Sequence, residues 1–408
     1  MVEVLTYVYL VYMFVGLYMM SFFLMIYFKN RKTLFDYPKH KKEYKLSVVI
    51  AAYNEEKTIE TTIEHVFAST YPLFEVIVVN DGSKDGTKEI IQKLIGKYPG
   101  LKLLDNKKNI GKANSLNKAL KIISGELMAV TDADSYPLSD SMDKMVGFFN
   151  DSKVGAVTNS ILVKSPKRFI EILQAFEYTV IAWTRKMLDY VDSVYVTNGP
   201  LSIYRTSALR EVGGFDPKNL TEDIEVTWHL VHEGYKARMC LPARTYTTAP
   251  VSLRRWIRQR TRWNMGGLQT LNKYKSSVFR KNMLGYFILP FFTVSWLLGL
   301  VGISIFSYLF LKRFLTAYLS TSYSIYAQTA ILTLQDINLT PSILIYFGVM
   351  LFFLGLFFTL FALRIMKEDQ LKRENYFNLL FYTVVYLTVF PIILVYSIYK
   401  LARGKLEW

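Results

Sequence analysis

Hydrophobic and polar positions divide the chain into long uncharged stretches near both ends and a central region of short apolar runs separated by polar turns. Leu5–Phe28 carries no charged residue over 24 positions, and a helix of this length crosses a hydrocarbon core of ~30 Å. A cleaved signal peptide is the alternative, but the run exceeds the ~7–15 apolar residues of a signal and no small-x-small cleavage site follows. We therefore expect an N-terminal transmembrane helix within residues 1–30.

Three further apolar runs, close to the C-terminus, have the length and composition of membrane-spanning helices. They are Met283–Leu311, Ile343–Leu363 and Tyr376–Tyr399. The stretch Thr316–Pro341 is more polar, and we interpret it as an external loop or interfacial segment, with a fifth spanning helix as the alternative. Residues 283–400 are thus predicted to form a helical transmembrane domain.

Basic residues lie beside these runs, at Lys29–Lys32, Lys39–Lys42, Arg280–Lys281 and from Arg364 to Arg373. Because cytoplasmic loops are enriched in lysine and arginine, this pattern places the central region in the cytoplasm, at the plasma membrane, with the lipid bilayer as a partner. It also accounts for the net charge of +16, so no nucleic acid is expected. The basic composition of the tail, residues 401–408, favours the cytoplasmic side of the membrane. Four membrane-spanning helices would place the tail outside, whereas five would place it in the cytoplasm.

In the central region, residues 44–270, strand-like and helix-like runs alternate. The predicted strands are Leu46–Ala51, Phe74–Val79, Leu101–Leu104 and Glu126–Thr131, and the helices between them are 57–69, 85–97 and 112–123. Such alternation with short connections is typical of an α/β fold with a parallel, doubly wound sheet. The expected fold class is therefore a Rossmann-like α/β cytoplasmic domain joined to an α-helical transmembrane domain.

Polar side chains follow three of the predicted strands. Tyr53 to Glu55 come after the first strand, Asp81 after the second, and Asp132 and Asp134 after the fourth. Each is common turn chemistry on its own, but the carboxyl ends of parallel strands share one edge, where ligands bind. Alternate carboxylates can hold a hard divalent ion, and Asp81 would accept hydrogen bonds from a nucleobase or ribose. The three loops together predict a nucleotide site with a metal ion.

A further acidic motif, Thr221-Glu222-Asp223, precedes the helical run Ile224–Glu233. As an N-cap with acidic first-turn residues it would stabilise the helix, and a carboxylate there could also serve as the general base for an acceptor hydroxyl. Asp223 is the preferred base and Glu222 the second choice. Lys112, at the start of the third predicted helix, is either a solvated lysine or a phosphate contact.

Two stretches have the character of interface helices, at about residues 166–190 and 252–279. The first is amphipathic and aromatic, and core packing is the default interpretation, with a membrane interface as the alternative. Most arginines of the second are assigned to the membrane interface. Gln259, Arg262 and Trp263 are distinct because their i, i+3, i+4 spacing puts them on one helix face, where a guanidinium can clamp a diphosphate and an indole can support a sugar ring.

In this order, Asp81, Asp132-x-Asp134, Thr-Glu-Asp223 and Gln-x-x-Arg-Trp263 resemble the motifs of processive family 2 glycosyltransferases with a GT-A fold. That family includes the cellulose, chitin, hyaluronan and poly-β-1,6-N-acetylglucosamine synthases. Supporting stretches run from Val48 to Glu55 (Val-Val-Ile-Ala-Ala-Tyr-Asn-Glu), from Gly199 to Arg205 (Gly-Pro-Leu-Ser-Ile-Tyr-Arg) and from Gly213 to Asp216 (Gly-Gly-Phe-Asp). The resemblance extends over about residues 44–263 and to the flanking membrane helices.

The resemblance implies an inverting transfer from a nucleotide-diphosphate sugar, usually a UDP-sugar, to a growing β-linked polysaccharide that the membrane helices export. It implies Mg²⁺ or Mn²⁺ as cofactor, with Asp134 as the metal ligand, Asp223 as the base beside Glu222, and Trp263 at the acceptor. The nucleotide-sugar site implied by position consists of Ala51, Tyr53, Glu55, Asp81, Lys112, Asp132, Gln259 and Arg262.

Two alternatives to a polymer synthase remain open from the sequence. One is a single-transfer glycosyltransferase that acts on a membrane lipid, and the other is a catalytically silent subunit that binds a nucleotide-sugar or a partner protein. The cues to a product disagree: the stretch from Gly199 to Arg205 resembles hyaluronan synthases, whereas Thr-Glu-Asp is the form found in cellulose and poly-N-acetylglucosamine synthases. No sugar is assigned on this basis.

Overall fold

The computed structural model describes residues 2–280, 282–329, 343–366 and 376–404. Within these residues, eight strands form one mixed sheet. The strands are β1 (Leu46–Ala52), β2 (Leu73–Asn80), β3 (Leu101–Asp105), β4 (Leu127–Asp132), β5 (Ser135–Pro137), β6 (Val154–Val163), β7 (Ser202–Arg205) and β8 (Lys236–Thr247).

The α-helices of the described residues surround the sheet and extend away from it. They are α1 (Val2–Asn30), α2 (Ile59–Phe67), α3 (Thr87–Ile95), α4 (Lys112–Ile122), α5 (Ser141–Val146), α6 (Phe169–Asp189), α7 (Thr206–Glu211), α8 (Glu222–His232), α9 (Leu253–Tyr274), α10 (Leu289–Tyr326), α11 (Ile343–Met366), α12 (Tyr376–Phe381) and α13 (Leu387–Ala402). Two π-helical segments, Leu284–Ile288 and Tyr382–Tyr386, precede α10 and α13.

The strand order is β3-β2-β1-β4-β7-β6-β8-β5. The first four strands pair in parallel, as the alternation of strands and helices predicted. The other half of the sheet is mixed: β7 is antiparallel to β4 and β6, β8 is parallel to β6, and β5 is antiparallel to β8. The predicted α/β class is therefore confirmed, while a wholly parallel sheet is wrong for the second half.

The register of the parallel strands brings the predicted polar loops to one edge. Ala51 of β1 lies opposite Val79 of β2 on one side and Asp132 of β4 on the other. The backbone amide of Asp81 donates to the carbonyl of Ala52 at 2.8 Å. The loops that follow β1, β2 and β4 therefore share one edge of the sheet.

Helix α6 is both a core helix and a contact with the apolar helices. One of its sides packs on β6 and β8, and another packs on α11 and α12. The Trp183 ring is fully buried in a cluster that includes Phe23 of α1 and Phe358 of α11. Residues 166–190 therefore pack in the core, as the default interpretation predicted, and their position at a membrane interface stays a prediction. Helix α9, which corresponds to the basic aromatic stretch, packs along α13.

Four helical segments of the described chain are long and apolar enough to cross a membrane: Thr6–Asn30, Leu284–Tyr326, Val349–Met366 and Tyr376–Ala402. The second differs from the prediction, because residues 316–326 continue α10 instead of forming a loop. Serine, threonine and tyrosine cost only tenths of a kcal/mol each when they extend an existing helix. The remainder of the polar stretch, residues 330–341, lies outside the described residues, as do 367–373 of the basic cluster and 405–408 of the tail.

Candidate active site

The residues predicted after β1 lie close to the acidic end of β4. Tyr53 is exposed, and Glu55 accepts a hydrogen bond from the Thr58 hydroxyl at 2.6 Å. Burial raises the pKa of Glu55, the Thr58 hydroxyl opposes this rise, and the charges of Asp134 and Asp132 add to it. Glu55 is therefore electrostatically coupled to both aspartates of the predicted metal motif.

Asp81 organises the loop in front of α4. Its side chain is 3% exposed, and its Oδ1 accepts from the Asn106 amide and from the backbone N–H of Ile110, both at 3.0 Å. Its Oδ2 accepts from the N–H of Gly111 at 2.9 Å. These three hydrogen bonds give Asp81 a structural function in this loop. A carboxylate has about four lone-pair sites, so Asp81 could still accept from a base or ribose, and that contact stays a prediction.

Lys112, the first residue of α4, joins two halves of the site. Its Nζ lies 2.6 Å from Asp132 Oδ1 and 2.8 Å from Glu222 Oε1. Burial would lower the pKa of Lys112, but the charges of the two carboxylates outweigh this effect and raise it. A Cβ on Gly199 would come within 2.6 Å of Asp132 and 2.7 Å of Lys112, so this ion pair requires glycine at position 199.

Glu222 and Asp223 occupy the first turn of α8 and differ in their surroundings. Burial would raise the pKa of Glu222, but Lys112 and then Arg262 lower it. For Asp223, burial and the charge of Glu222 raise the pKa to about 6. Its Oδ1 accepts from the N–H of Ile224 at 2.9 Å. Of the two predicted base candidates, Asp223 is the one whose surroundings make it a proton acceptor near neutral pH.

Asp132 and Asp134 end β4 and follow it directly. Asp134 Oδ2 accepts from the Thr248 hydroxyl at 2.8 Å, and Oδ1 from the Ser135 hydroxyl at 3.4 Å. Burial and then the charge of Asp132 raise the pKa of Asp134, which means that its negative charge is not fully compensated. A divalent cation would provide that compensation. Among the described residues no group of three or more histidine, cysteine or acidic side chains could hold a metal.

The three residues predicted to share a face of α9 do line the same cavity: Gln259, Arg262 and Trp263. The helix approaches the Thr-Glu-Asp motif closely because of Gly266. A Cβ at that position would overlap the side chain of Thr221. A larger residue would push the basic helix away from α8 and its two carboxylates.

One cavity of about 470 Å³ brings most of the predicted site together. Its lining includes Lys112, Asp132, Asp134, Glu222, Asp223, Gln259, Arg262 and Trp263. Ala51, Tyr53, Glu55 and Asp81 lie at the same sheet edge but outside this lining. Phe292 of α10 and Phe390 of α13 also line the cavity. A wider cleft of about 750 Å³ adjoins it and shares Asp134, Gln259 and Arg262.

Several residues of the site have no clear sequence signal. Thr248 follows β8, a strand that was not predicted. Arg185 of α6 lines the cavity at 3% exposure, and its Nε has no hydrogen-bonding partner within the described parts of the chain. Arg260 has no sequence signal that separates it from the neighbouring arginines, yet it is 2% exposed and paired with Glu177.

A mixed sheet with acidic strand ends, a basic helix across its edge and membrane-length helices defines the class of protein: a glycosyltransferase domain of the GT-A type joined to apolar helices. Residues 47–213 match the family Glycosyl transferase family 2. This part of the chain is thus similar to family 2 glycosyltransferases, the family that the order of its motifs resembles.

Curated relatives and a solved structure extend this result. The chain is 31% identical over 255 residues to the poly-β-1,6-N-acetyl-D-glucosamine synthase of Staphylococcus epidermidis, covering 62% of each chain. It is 32% identical over 248 residues to the enzyme of the same name from Staphylococcus aureus strain COL, covering 60% of each. The match therefore spans about three-fifths of these relatives.

The solved structure is the mannosyltransferase PcManGT of Pyrobaculum calidifontis in complex with GDP-mannose and Mn²⁺. It aligns with a TM-score of 0.57 over 97% of this chain and 99% of that chain, at 18% identity. At this identity the likeness establishes a shared fold.

Proposed function

We propose that this protein is a membrane-embedded inverting glycosyltransferase that extends a β-linked polysaccharide from a nucleotide-diphosphate sugar and exports the product. The observation that carries the proposal is the single cavity in which Asp223 lies together with the Asp132–Asp134 pair and with Trp263. Such a cavity can hold a donor diphosphate and an acceptor hydroxyl at the same time. Holding two reactants in the correct geometry removes a large part of the activation barrier.

In the proposed reaction, an acceptor hydroxyl attacks the anomeric carbon of the donor sugar from the side opposite the diphosphate. Asp223 takes the hydroxyl proton as the new C–O bond forms, and the bond to the diphosphate oxygen breaks with its electron pair. The leaving nucleotide carries the resulting negative charge, which Arg262 stabilises from α9. One displacement of this kind inverts the anomeric centre, so an α-linked donor gives a β-linked product.

Asp134, with Asp132 beside it, is the proposed holder of Mg²⁺ or Mn²⁺. When bound, the ion would neutralise charge on the diphosphate. The uncompensated charge of Asp134 supports this assignment. Lys112 would contact the same phosphates after exchanging one of its two carboxylate partners. Asp81, Ala51, Tyr53 and Glu55 are proposed to hold the nucleoside at the ends of β1 and β2.

The proposed donor is UDP-N-acetylglucosamine, since the curated relatives are named as poly-β-1,6-N-acetyl-D-glucosamine synthases. The proposed location is the cell membrane with residues 44–270 on the cytoplasmic side, which the basic residues flanking the apolar helices support. A second candidate is single transfer to a lipid acceptor. Phe292 and Phe390, on helices of membrane length, line the cavity and favour an apolar group near the acceptor site.

Purified protein in lipid, supplied with Mg²⁺ or Mn²⁺ and a panel of UDP-sugars with GDP-mannose, tests the proposal through released nucleotide and product size. One donor giving a high-molecular-weight, glycosidase-sensitive product is the expected result. Nucleotide release with only a single-sugar lipid product would replace it with the second candidate. The isosteric variant Asp223→Asn is the control, because background hydrolysis would persist in it while transfer is lost.

A further inference from the structure

The side chain of Arg260 lies under the indole of Trp263. The two residues are one turn apart on α9, and the Arg260 Cζ is 4.0 Å from the centre of the Trp263 ring. Arg260 is 2% exposed, so the contact is screened little by water. Tryptophan is the most favourable aromatic partner for a cation, and desolvation strengthens the attraction. The orientation of Trp263 is therefore tied to that of Arg260.

Arg260 is itself fixed by a buried carboxylate from another helix. Its Nη2 donates to Glu177 Oε2 of α6 at 2.5 Å, and Glu177 is 5% exposed. The hydroxyl of Tyr386 donates to the same oxygen at 2.7 Å. Tyr386 in turn accepts a hydrogen bond from the indole N–H of Trp256 at 2.7 Å. Three segments meet in this network: α9, α6 and the π-helical segment before α13.

A buried ion pair of this kind is a costly way to gain stability, because apolar side chains of similar volume often do as well or better. What such a pair determines is orientation: the charge-assisted hydrogen bond from Arg260 Nη2 to Glu177 Oε2 holds the guanidinium in one position. In this protein the fixed guanidinium lies directly against Trp263 in the proposed acceptor site. The network therefore contacts that ring through Arg260.

We propose that Arg260 is a positioning residue that holds Trp263 in place for the acceptor, and that Glu177 and Tyr386 hold Arg260. The inference rests on the proposed function, in which Trp263 supports the acceptor terminus. Because Tyr386 belongs to the last described membrane-length segment, the acceptor platform is attached to that segment as well as to the catalytic domain. Arg260 would act on the use of the acceptor and not on the binding of the donor.

The test compares Glu177→Gln, Arg260→Lys and Tyr386→Phe with wild-type protein in lipid. The readouts are the KM for a supplied oligosaccharide acceptor, the KM for UDP-N-acetylglucosamine, the ratio of sugar transferred to UDP released, and product length. Since a misplacement of ~1 Å can cost about a hundredfold, we expect acceptor KM to rise at least about tenfold in Glu177→Gln and Arg260→Lys. Donor KM is expected to stay within about twofold, and products to shorten.

Two control variants separate positioning from general damage. In Glu171→Gln the change is on α6, the helix of Glu177, at a capping position that glutamine also satisfies. Tyr399→Phe removes an exposed hydroxyl from α13. Neither is expected to change either KM. If a single variant fails to fold, the double variant Glu177→Met/Arg260→Met replaces the ion pair with apolar side chains of similar length, which is often close to neutral for stability, and should show the same rise in acceptor KM.

Folded variants with wild-type acceptor KM and product length would overturn the inference and leave the proposed function intact. The same holds if donor KM rises as steeply as acceptor KM, since the network would then serve the whole site. If wild-type protein makes only a single-sugar lipid product, the acceptor KM is measured for that lipid instead. The same rise in acceptor KM is then expected in the variants. A wild-type protein that transfers no sugar overturns the proposed function and this inference with it.

Discussion

Glu222 and Asp223 are adjacent in the first turn of α8, yet their surroundings separate their proton affinities. Burial acts on both, but the Nζ of Lys112 lies 2.8 Å from Glu222 Oε1 and lowers the pKa of Glu222. Burial and the charge of Glu222 raise the pKa of Asp223 to about 6. Two neighbouring carboxyl groups with displaced pKa values can divide their functions: Glu222 is a fixed anion, and Asp223 can exchange a proton.

Replacing Asp223 with asparagine is expected to remove turnover and to retain nucleotide binding. The amide keeps the shape of the side chain but cannot accept a proton, and the loss of a general base typically costs about 10²–10⁴-fold in rate. Steady-state sugar transfer and calorimetric titration with UDP measure the two properties. Turnover at the wild-type rate would remove Asp223 from the base role.

The rate of transfer should depend on pH through Asp223. The base acts only when ionised, so with a pKa of about 6 kcat/KM is expected to be flat above that pH. Below it, kcat/KM should fall about tenfold per pH unit. The Glu222→Gln variant removes the like charge beside Asp223 and should move this limb to lower pH. A limb near the ordinary value of 3.8 in wild-type protein would contradict the assignment.

Replacing Asp134 with alanine is expected to abolish transfer even at high concentrations of divalent ion. The side chain is the proposed ligand of that ion, and substrate phosphates alone would not hold it in place. Mn²⁺ binding, followed by electron paramagnetic resonance with UDP present, should weaken together with activity. Rescue of transfer by any divalent ion at high concentration would argue against direct coordination by Asp134.

Replacing Trp263 with alanine should weaken the use of the acceptor without weakening UDP binding. The indole lines the same cavity as Asp223 and contacts Arg260, which is not one of the predicted donor contacts, so we expect donor binding to be retained. The comparison is acceptor KM against the Kd for UDP. An equally steep loss of UDP binding would place Trp263 at the donor instead.

Replacing Gly266 with alanine should destabilise the protein, although alanine is normally the better helix former by about 1 kcal/mol. The added methyl group overlaps the side chain of Thr221, and overpacking of this kind typically costs about 1–3 kcal/mol. Thermal unfolding in detergent measures the change. Gly355→Ala in α11 is the matched control, since a Cβ there meets no atom within 4 Å. Equal melting temperatures for the two variants would contradict the close contact between α9 and α8.

The parallel half of the sheet could be predicted because its information is local. Each strand from β1 to β4 is a short apolar run next to a turn, and the carboxylates follow directly in sequence. The mixed half of the sheet carries a weaker sequence signal. Strand β7 has only four residues, and β6 buries Thr158, Asn159 and Ser160 as fully as its apolar residues. Neither alternation nor an apolar run marks these strands.

Arg260 could not be distinguished from its neighbours by sequence. Arg254, Arg255, Arg258 and Arg260 share one basic stretch, and only the last is buried. Its burial depends on Glu177, 83 residues earlier in the chain, and on Tyr386, 126 residues later. A charged residue inside a protein needs a partner, and the sequence does not state which distant residue supplies it.

The aromatic contacts of α6 and α9 with the apolar helices have a practical consequence for the study of this protein. Its Trp183 packs against Phe358 of α11 with ring centres 5.0 Å apart, and Trp256 of α9 packs against Tyr386 at 4.7 Å. A fragment of residues 44–270 would expose these indoles to water and leave an apolar surface that favours aggregation. We therefore expect residues 44–270 to need these apolar helices, or detergent in their place, to stay soluble.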